Sequence, residues 1–206
     1  MYNPASFVQH DLPTLHSFIA HHSFATLISQ SADGPGVSHL PLLLDCARNC
    51  LLGHVARANP HWQSLDGQPV LAIFHGPHAY VSPAWYEVPN TVPTWNYAVV
   101  HVRGLCRIIQ EEEGERAREI LERTVQTFEA GRPNPWSIDD VESGFLDKLI
   151  SSIVAFTIAI EEIEGKWKLN QNHDEPRRRR VIAQLNLKSD DNSRGIARLM
   201  SDTLES

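Results

Sequence analysis

Between residues 24 and 109 the chain keeps breaking into short apolar, β-branched runs separated by turns rich in glycine, proline and asparagine. Residues 24–29, 37–45 and 50–55 are such runs, parted by Ser-Ala-Asp-Gly-Pro-Gly (31–36) and Ala-Arg-Asn (47–49). Glycine and asparagine accept turn dihedrals that other residues resist, so these breaks end strands rather than bend helices. Close runs with short connections predict an antiparallel meander. Residues 69–74 and 79–82 extend it, and 97–109 reads as a long strand rich in valine and isoleucine.

Helical periodicity appears on either side. Asp11 is placed to cap a short helix whose apolar face is Leu15, Phe18 and Ile19, with Pro13 tolerated in its first turn. Residues 111–130 repeat Ala117, Ile120, Leu121, Val125 and Phe128 at three- and four-residue steps, until Gly131 and Pro133 stop them. Ser137 with Asp140 has the form of a capping box opening a second helix over 137–150. Residues 154–163 alternate again as a strand, and the tail is helical over 180–187 and 192–204. The order defines an α+β chain, and its many short strands favour a barrel over a sandwich. The expected organisation is one domain over 1–175 carrying a helical insertion at 111–150, then a C-terminal helical extension over 176–206.

A chain of 206 residues that is 42% hydrophobic and 21% charged has material for one sizeable core. Its net charge of −7 argues against a protein whose main work is gripping phosphate backbones. Cys46, Cys50 and Cys106, an odd set without a CxxC pair, read as reduced thiols of a cytoplasmic protein. The first residues lack the basic-then-apolar pattern of a signal peptide. The longest apolar stretch, 149–160, carries three hydroxyl residues and is shorter than the roughly 20 residues a bilayer requires, so no membrane association is expected.

Four segments depart from scaffold composition: Ser38-His39-Leu40-Pro41, residues 53–62, residues 74–86 continued by 92–97, and residues 165–172. They combine glycine and proline to fix loops, tryptophan and tyrosine to stack, and arginine, serine, histidine and asparagine to hydrogen-bond. A flat heterocycle with a phosphate tail asks for that mixture. Arg57, after a strand and among small residues, is either a phosphate ligand or a surface arginine paired with a carboxylate. Asn59 is either a ligand or a turn residue before Pro60. His39 and His54 lie on strands beside it. His75-x-x-His78 has the tightest histidine spacing, but Gly76-Pro77 breaks the element between them and no cysteine or carboxylate completes a metal set nearby. Cys50 and Cys106 sit inside apolar strands as core thiols. Trp85, Tyr86 and Trp95 are ring-stacking groups or interface anchors. The run Arg177 to Arg180 reads as a solvated stretch screened by Asp174 and Glu175. Hydrolase, Walker and dinucleotide glycine motifs are absent, and no residue is assigned a catalytic role.

Together the motifs resemble the PaiB family of FMN-binding negative transcriptional regulators. The resemblance rests on Met-Tyr-x-Pro-x-x-Phe at the start, Ser-His-Leu-Pro (38–41), Gly-His-x-Ala-Arg-x-Asn-Pro (53–60), Phe-His-Gly-Pro-His-Ala-Tyr-Val-Ser-Pro (74–83) and Val-Pro-Thr-Trp-Asn-Tyr (92–97). Asn170 departs from the serine of the family pattern. The resemblance implies a split β-barrel of the pyridoxamine-phosphate-oxidase and flavin-reductase type, forming a homodimer with FMN at the subunit interface. It places Ser38, His39, Arg57 and Asn59 around the phosphate and has Lys166 and Gln171 close the site; His54, Tyr80, Ser82 and Trp95, taken from the unusual segments themselves, complete the expected cofactor-binding set. It implies regulation through a partner or the flavin's redox state, direct DNA binding being disfavoured by the charge. The alternative is an FMN-dependent oxidoreductase or a haem-handling split barrel, with His75, His78 or Tyr80 as proton donor.

Overall fold

The alternation in the sequence becomes eight strands and five α-helices in a computed structural model that describes residues 1–31, 34–110 and 113–205, Ser143 by its backbone alone. The strands are β1 (Val8–Gln9), β2 (Phe24–Ser31), β3 (Gly34–Pro41), β4 (Leu43–Asp45), β5 (Cys50–Ala56), β6 (Pro69–Val81), β7 (Thr94–Ile108) and β8 (Ile153–Lys168). The helices are α1 (Leu12–His21), α2 (Gly114–Glu129), α3 (Ser143–Ser151), α4 (Glu175–Asn186) and α5 (Asp191–Glu205). Hydrogen bonding links the strands in the order β3-β2-β6-β7-β8-β5-β4, with β1 added to β8. The chain is α+β, as its sequence predicts.

The meander does not form as expected. The apolar run 37–45 is cut at Leu42, whose N–H turns to the Ser23 carbonyl (2.8 Å) while its side chain is fully buried. β3 therefore ends at Pro41, β4 restarts at Leu43, and the two hairpins β2–β3 and β4–β5 occupy opposite ends of the strand order. The expected break between 74 and 79 is also absent, because β6 runs through it. What changes there is parity: Val70, Ala72 and Phe74 face inward before Gly76, Ala79 and Val81 after it. A Cβ on Gly76 would lie 2.5 Å from the Phe18 ring, so only glycine lets the strand pass at this point.

The chain divides into two compact units. One comprises Met1–Phe18, Phe74–His101 and Glu164–Ser206. In it β1 pairs with the end of β8 (Val8↔Lys166), the Met1 ammonium meets Glu164 (2.7 Å), and Phe18 packs on Trp167 with ring centroids 4.8 Å apart. Asp11 accepts the Thr14 N–H and caps α1 as expected. The arginine run is not a solvated stretch. Asp174 caps α4 ahead of it (2.9 Å to the Arg177 N–H), and the helix turns three of its four arginines inward. Arg177 lies over the Tyr86 ring, Arg178 is buried and donates to Thr203, and Arg180 donates twice to the Tyr86 carbonyl (2.7 and 3.1 Å). Only Arg179 stays outside, paired with Glu175.

The other unit comprises Ile19–Ile73 and Val102–Ile163. β5 pairs antiparallel with β8 (Leu52↔Thr157, His54↔Ala155), and α2 lays Ile120 on Leu43, Cys50, Leu52, Ile109 and Ala155. The buried Asp45 carboxylate secures the helix, accepting from Arg123 (2.5 Å) and from the Arg48 backbone (3.1 Å). α2 stops before Gly131, which takes φ +82; the expected start at Glu111, like Ala32 and Asp33 of the 31–36 turn, lies outside the described residues. The 137–150 helix is two elements. Ser137 and Asp140 do form a capping box, but on a single 3-10 turn (Ile138–Asp140); Val141 and Glu142 are extended and α3 begins afresh at Ser143.

Candidate functional site

The turn that follows β5 is built from its own polar side chains. The Arg57 N–H donates to the Ser152 carbonyl (2.8 Å), its Nε to the Ser151 carbonyl (2.7 Å), and the Trp62 indole to the Arg57 carbonyl (2.9 Å). Asn59 caps the short 3-10 turn Pro60–Ser64 by accepting the His61 N–H on Oδ1 (3.0 Å). That bond fixes which way the amide points, so Nδ2 is left to donate to Ser38 Oγ (3.0 Å). Asn59 is a turn residue and a bridge to β3 at once.

Behind it lies a buried polar network. His61 Nδ1 is 2.8 Å from Ser38 Oγ and Nε2 is 2.9 Å from Ser29 Oγ, with Ser29, Ser38 and His61 all under 9% exposed. Gly36 on β3 makes room for the ring, since a Cβ there would stand 2.6 Å from His61 Cδ2. Buried polar groups need such partners, and here the pairing ties the turn to β2 and β3. Burial holds the His61 imidazole below its ordinary pKa.

Strand parity separates the remaining candidates of this unit. Ser38 faces inward and His39 outward, where it bonds Thr26 across the hairpin (3.1 Å). His54, half-buried on β5, is held below its usual pKa by desolvation. Arg57 lines a cleft of about 450 Å³ together with Ile109, Ile150, Ile153 and Ala155 and with the charged Glu115 and Arg118. That volume falls within the roughly 300–1,000 Å³ typical of small-molecule sites.

In the unit containing the N-terminus, Tyr80 and Trp95 form an exposed edge-to-face pair (5.9 Å), with His78 beside Trp95 (6.2 Å). Lys166 is buried, donates to the Tyr2 carbonyl (2.8 Å), and stands 5.5 Å from the Tyr2 and Tyr97 rings. Gln171 is occupied within its own loop, accepting from the Leu169 N–H (2.7 Å) and donating to the Trp167 carbonyl (2.6 Å). Ser82 caps the turn Pro83–Tyr86. Asn170, the departure from the family pattern, takes φ +61 and donates to the Tyr86 hydroxyl (3.1 Å); asparagine suits that left-handed position.

Cys50 and Cys106 are buried, and burial pushes the Cys106 thiol up to about 12, far from nucleophilic. Ser29 and His61 are the residues that sequence reading left out. A histidine just after Asn-Pro was the available signal, but its partners lie on strands distant in the chain.

The donor chemistry suits a phosphorylated flavin. A guanidinium and an aliphatic wall, as at Arg57 and the cleft beside it, are the groups that a phosphate and a flat ring call for. The fold is that of the split-barrel class. The chain superposes on the flavocytochrome Anf3 from Azotobacter vinelandii with a TM-score of 0.61 (16% identity, 83% of this chain and 74% of that one). It superposes equally on an FAD and haem binding protein from Mycobacterium smegmatis, with a TM-score of 0.62 (14% identity, 83% and 78%). Residues 1–162 match the family model described as "Putative FMN-binding domain". Over its whole length the chain is 34% identical to "Protease synthase and sporulation protein PAI 2" of Bacillus subtilis (strain 168), covering 99% of that protein. The chain belongs to this FMN-binding PaiB family, and its cofactor is FMN.

Proposed function

We propose that the chain is a homodimeric, FMN-loaded regulatory protein whose Arg57–Asn59 turn holds the flavin's phosphate. The observation that carries the reading is Arg57 lining a partly aliphatic cleft, on a turn braced by Asn59, Ser38 and His61. An arginine fork takes a phosphate in two parallel bonds, and a braced turn does not have to be ordered at the moment of binding. His39 and His54 complete the donor set from the neighbouring strands. Of the other motif residues, Tyr80 and Trp95 present exposed rings, whereas Ser82, Lys166 and Gln171 are held by bonds within their own unit. FMN supplies the redox chemistry when bound; the chain holds it and shields it from water.

A second copy is supported by the outward face of the β2–β3 hairpin, where Phe24 and Val37 are 66% and 53% exposed opposite apolar or small neighbours. Aromatic and branched aliphatic side chains are among the residue types that subunit surfaces use. Regulation is supported by full-length likeness to a protein named for sporulation. Action through a partner or the flavin's redox state, rather than by gripping DNA, is supported by the net charge of −7 and by an arginine run spent inside the fold. The absorbance spectrum and solution mass of the purified chain test the reading. A flavin band on a particle of two chains supports it; a chain that refuses added FMN sinks it. Tight binding of promoter DNA by the dimer alone, with a steep salt dependence, would remove the indirect mode of action.

An FMN-dependent oxidoreductase is the second reading. It is favoured by His78 and Tyr80, two proton-bearing side chains beside an exposed Trp95. Anaerobic mixing of the FMN-loaded protein with NADH and with NADPH decides, because a flavin band that neither bleaches excludes the pyridine-nucleotide reductase.

A further inference from the structure

We propose that His61 is a positioning residue for the phosphate-binding turn: its buried ring, bonded to Ser29 on one side and Ser38 on the other, holds Asn59 in place and loosens its hold when protonated. The inference rests on the FMN site proposed above and adds to it a residue that would not touch the cofactor, together with a pH dependence.

The argument is a count of protons. Ser38 Oγ accepts one N–H from Asn59 and faces His61 Nδ1; Ser29 Oγ faces Nε2. A neutral ring carries one N–H and one lone pair, so it donates to one serine and accepts from the other. One hydroxyl hydrogen is then left without an acceptor. An imidazolium donates on both sides, which strands both hydroxyl hydrogens in a site that water barely reaches. A buried donor left without an acceptor keeps the full cost of leaving water. The ring has no easy retreat, because the Gly36 backbone stands against it from β3.

The groups facing the ring are Ser29 of β2, Gly36 and Ser38 of β3, and Asn59 of its own turn, none of which titrates. Burial is the cause that holds its pKa down, with no charged neighbour contributing. The sign follows. The folded pKa lies below the unfolded value near 6.5, so the brace is intact at neutral pH and weakens as pH falls from there toward the folded value.

The test is a fluorescence titration of FMN, and separately of riboflavin, into the full-length chain between about pH 5.5 and 8. The parent is compared with His61→Gln, Ser38→Ala and Arg57→Ala, each checked for folding by far-UV circular dichroism. FMN affinity of the parent falls on the acid side more steeply than titration of the flavin's own phosphate, near pH 6, accounts for. His61→Gln, whose amide also donates once and accepts once, retains affinity at pH 7.5 within roughly threefold and shows the phosphate limb alone. Ser38→Ala weakens FMN about tenfold at pH 7.5 and leaves riboflavin, which has no phosphate, unchanged. The proposal is overturned if the parent and His61→Gln profiles coincide, or if Ser38→Ala weakens riboflavin as much as FMN. If His61→Gln does not fold, Ser29→Ala, which frees the other side of the ring, takes its place and is read by the same pair of FMN and riboflavin titrations across pH. Arg57→Ala separates the two levels: FMN bound as tightly without the guanidinium overturns the site and the brace together, whereas loss with Arg57→Ala but not with Ser38→Ala overturns the brace alone.

Discussion

Replacing Gly36 by alanine tests the packing on which the braced turn depends. Gly36 has an ordinary strand conformation, so alanine strains no dihedral there, and its cost is the space it takes. The new Cβ would stand 2.6 Å from His61 Cδ2, 2.7 Å from Nε2 and 3.2 Å from Ser29 Oγ. Carbon contacts settle near 3.5–4.0 Å, so the ring must back away by roughly 1 Å. That distance is enough to break the 2.9 Å bond to Ser29 and to misalign the 2.8 Å bond to Ser38. Two hydrogen bonds at about 1 kcal/mol each, with about 1–2 kcal/mol of overpacking, give about 3–4 kcal/mol. Alanine stiffens the unfolded chain and offsets about 0.4–1 kcal/mol of this. The net loss is about 2–3 kcal/mol, which in a chain of this length lowers Tm by about 5–10 °C. Calorimetric melting of the parent, Gly36→Ala, His61→Ala and the double variant measures it. Truncating His61 removes the obstacle, so the double variant is expected to melt close to His61→Ala alone. A Gly36→Ala protein melting within about 1 °C of the parent, or one whose loss adds in full to that of His61→Ala, refutes the argument.

Three further outcomes follow from other parts of the chain. Asp45→Asn keeps the acceptor for the Arg48 backbone but removes the charge facing Arg123, whose side chain is 33% exposed; solvent screening limits the loss to about 2 kcal/mol, read as a Tm drop of about 4–8 °C. The Arg123 hydrogen bond, first, and the Arg48 backbone hold the Asp45 carboxyl below its usual range, so its contribution is present above about pH 4 and lost as pH falls through the folded value; acid titration followed by tryptophan fluorescence checks this against Asp45→Asn. Gly144→Ala, inside α3 with open space where its Cβ would go, is expected to raise stability by about 0.5–1 kcal/mol, and a denaturant midpoint that falls would contradict it. Arg180→Ala strips two donors from the Tyr86 carbonyl and is expected to loosen α4, seen as faster amide exchange over Glu175–Asn186, with DNA binding no weaker than the parent's at any salt concentration.

What the sequence made legible here was whatever a single segment determines. The turn residues cut the strands close to their true ends, the glycine and proline after Ala130 stopped α2, and Ser137 with Asp140 announced a capping box that is present. Errors arose where a second segment decides. Leu42 breaks an apolar run that reads as continuous because its N–H is claimed by Ser23, on the far side of a hairpin. The arginines of α4 look like a charged surface until Tyr86, far back in the chain, is seen to take their donors.

The candidate site divides along the same line. Motif spacing singles out Arg57 and Asn59 as candidates, but spacing carries no information about which strand face a neighbour occupies. Ser38 and His39 are adjacent in the motif, and in an extended strand adjacent side chains leave on opposite faces. Burial makes the assignment: Ser38 points inward to Asn59 and His61, and His39 points outward to Thr26. One ligand lying on one face of β3 therefore meets only one of the two side chains directly. An FMN phosphate at Arg57 would be served by Ser38 through Asn59, at one remove, and losing that serine would show as a misplaced turn before it showed as a missing contact. A direct ligand and a brace both spare riboflavin when the serine is lost, so coupling distinguishes them: for a brace the FMN losses of Ser38→Ala and Asn59→Ala overlap in the double variant, and for an independent phosphate contact they add.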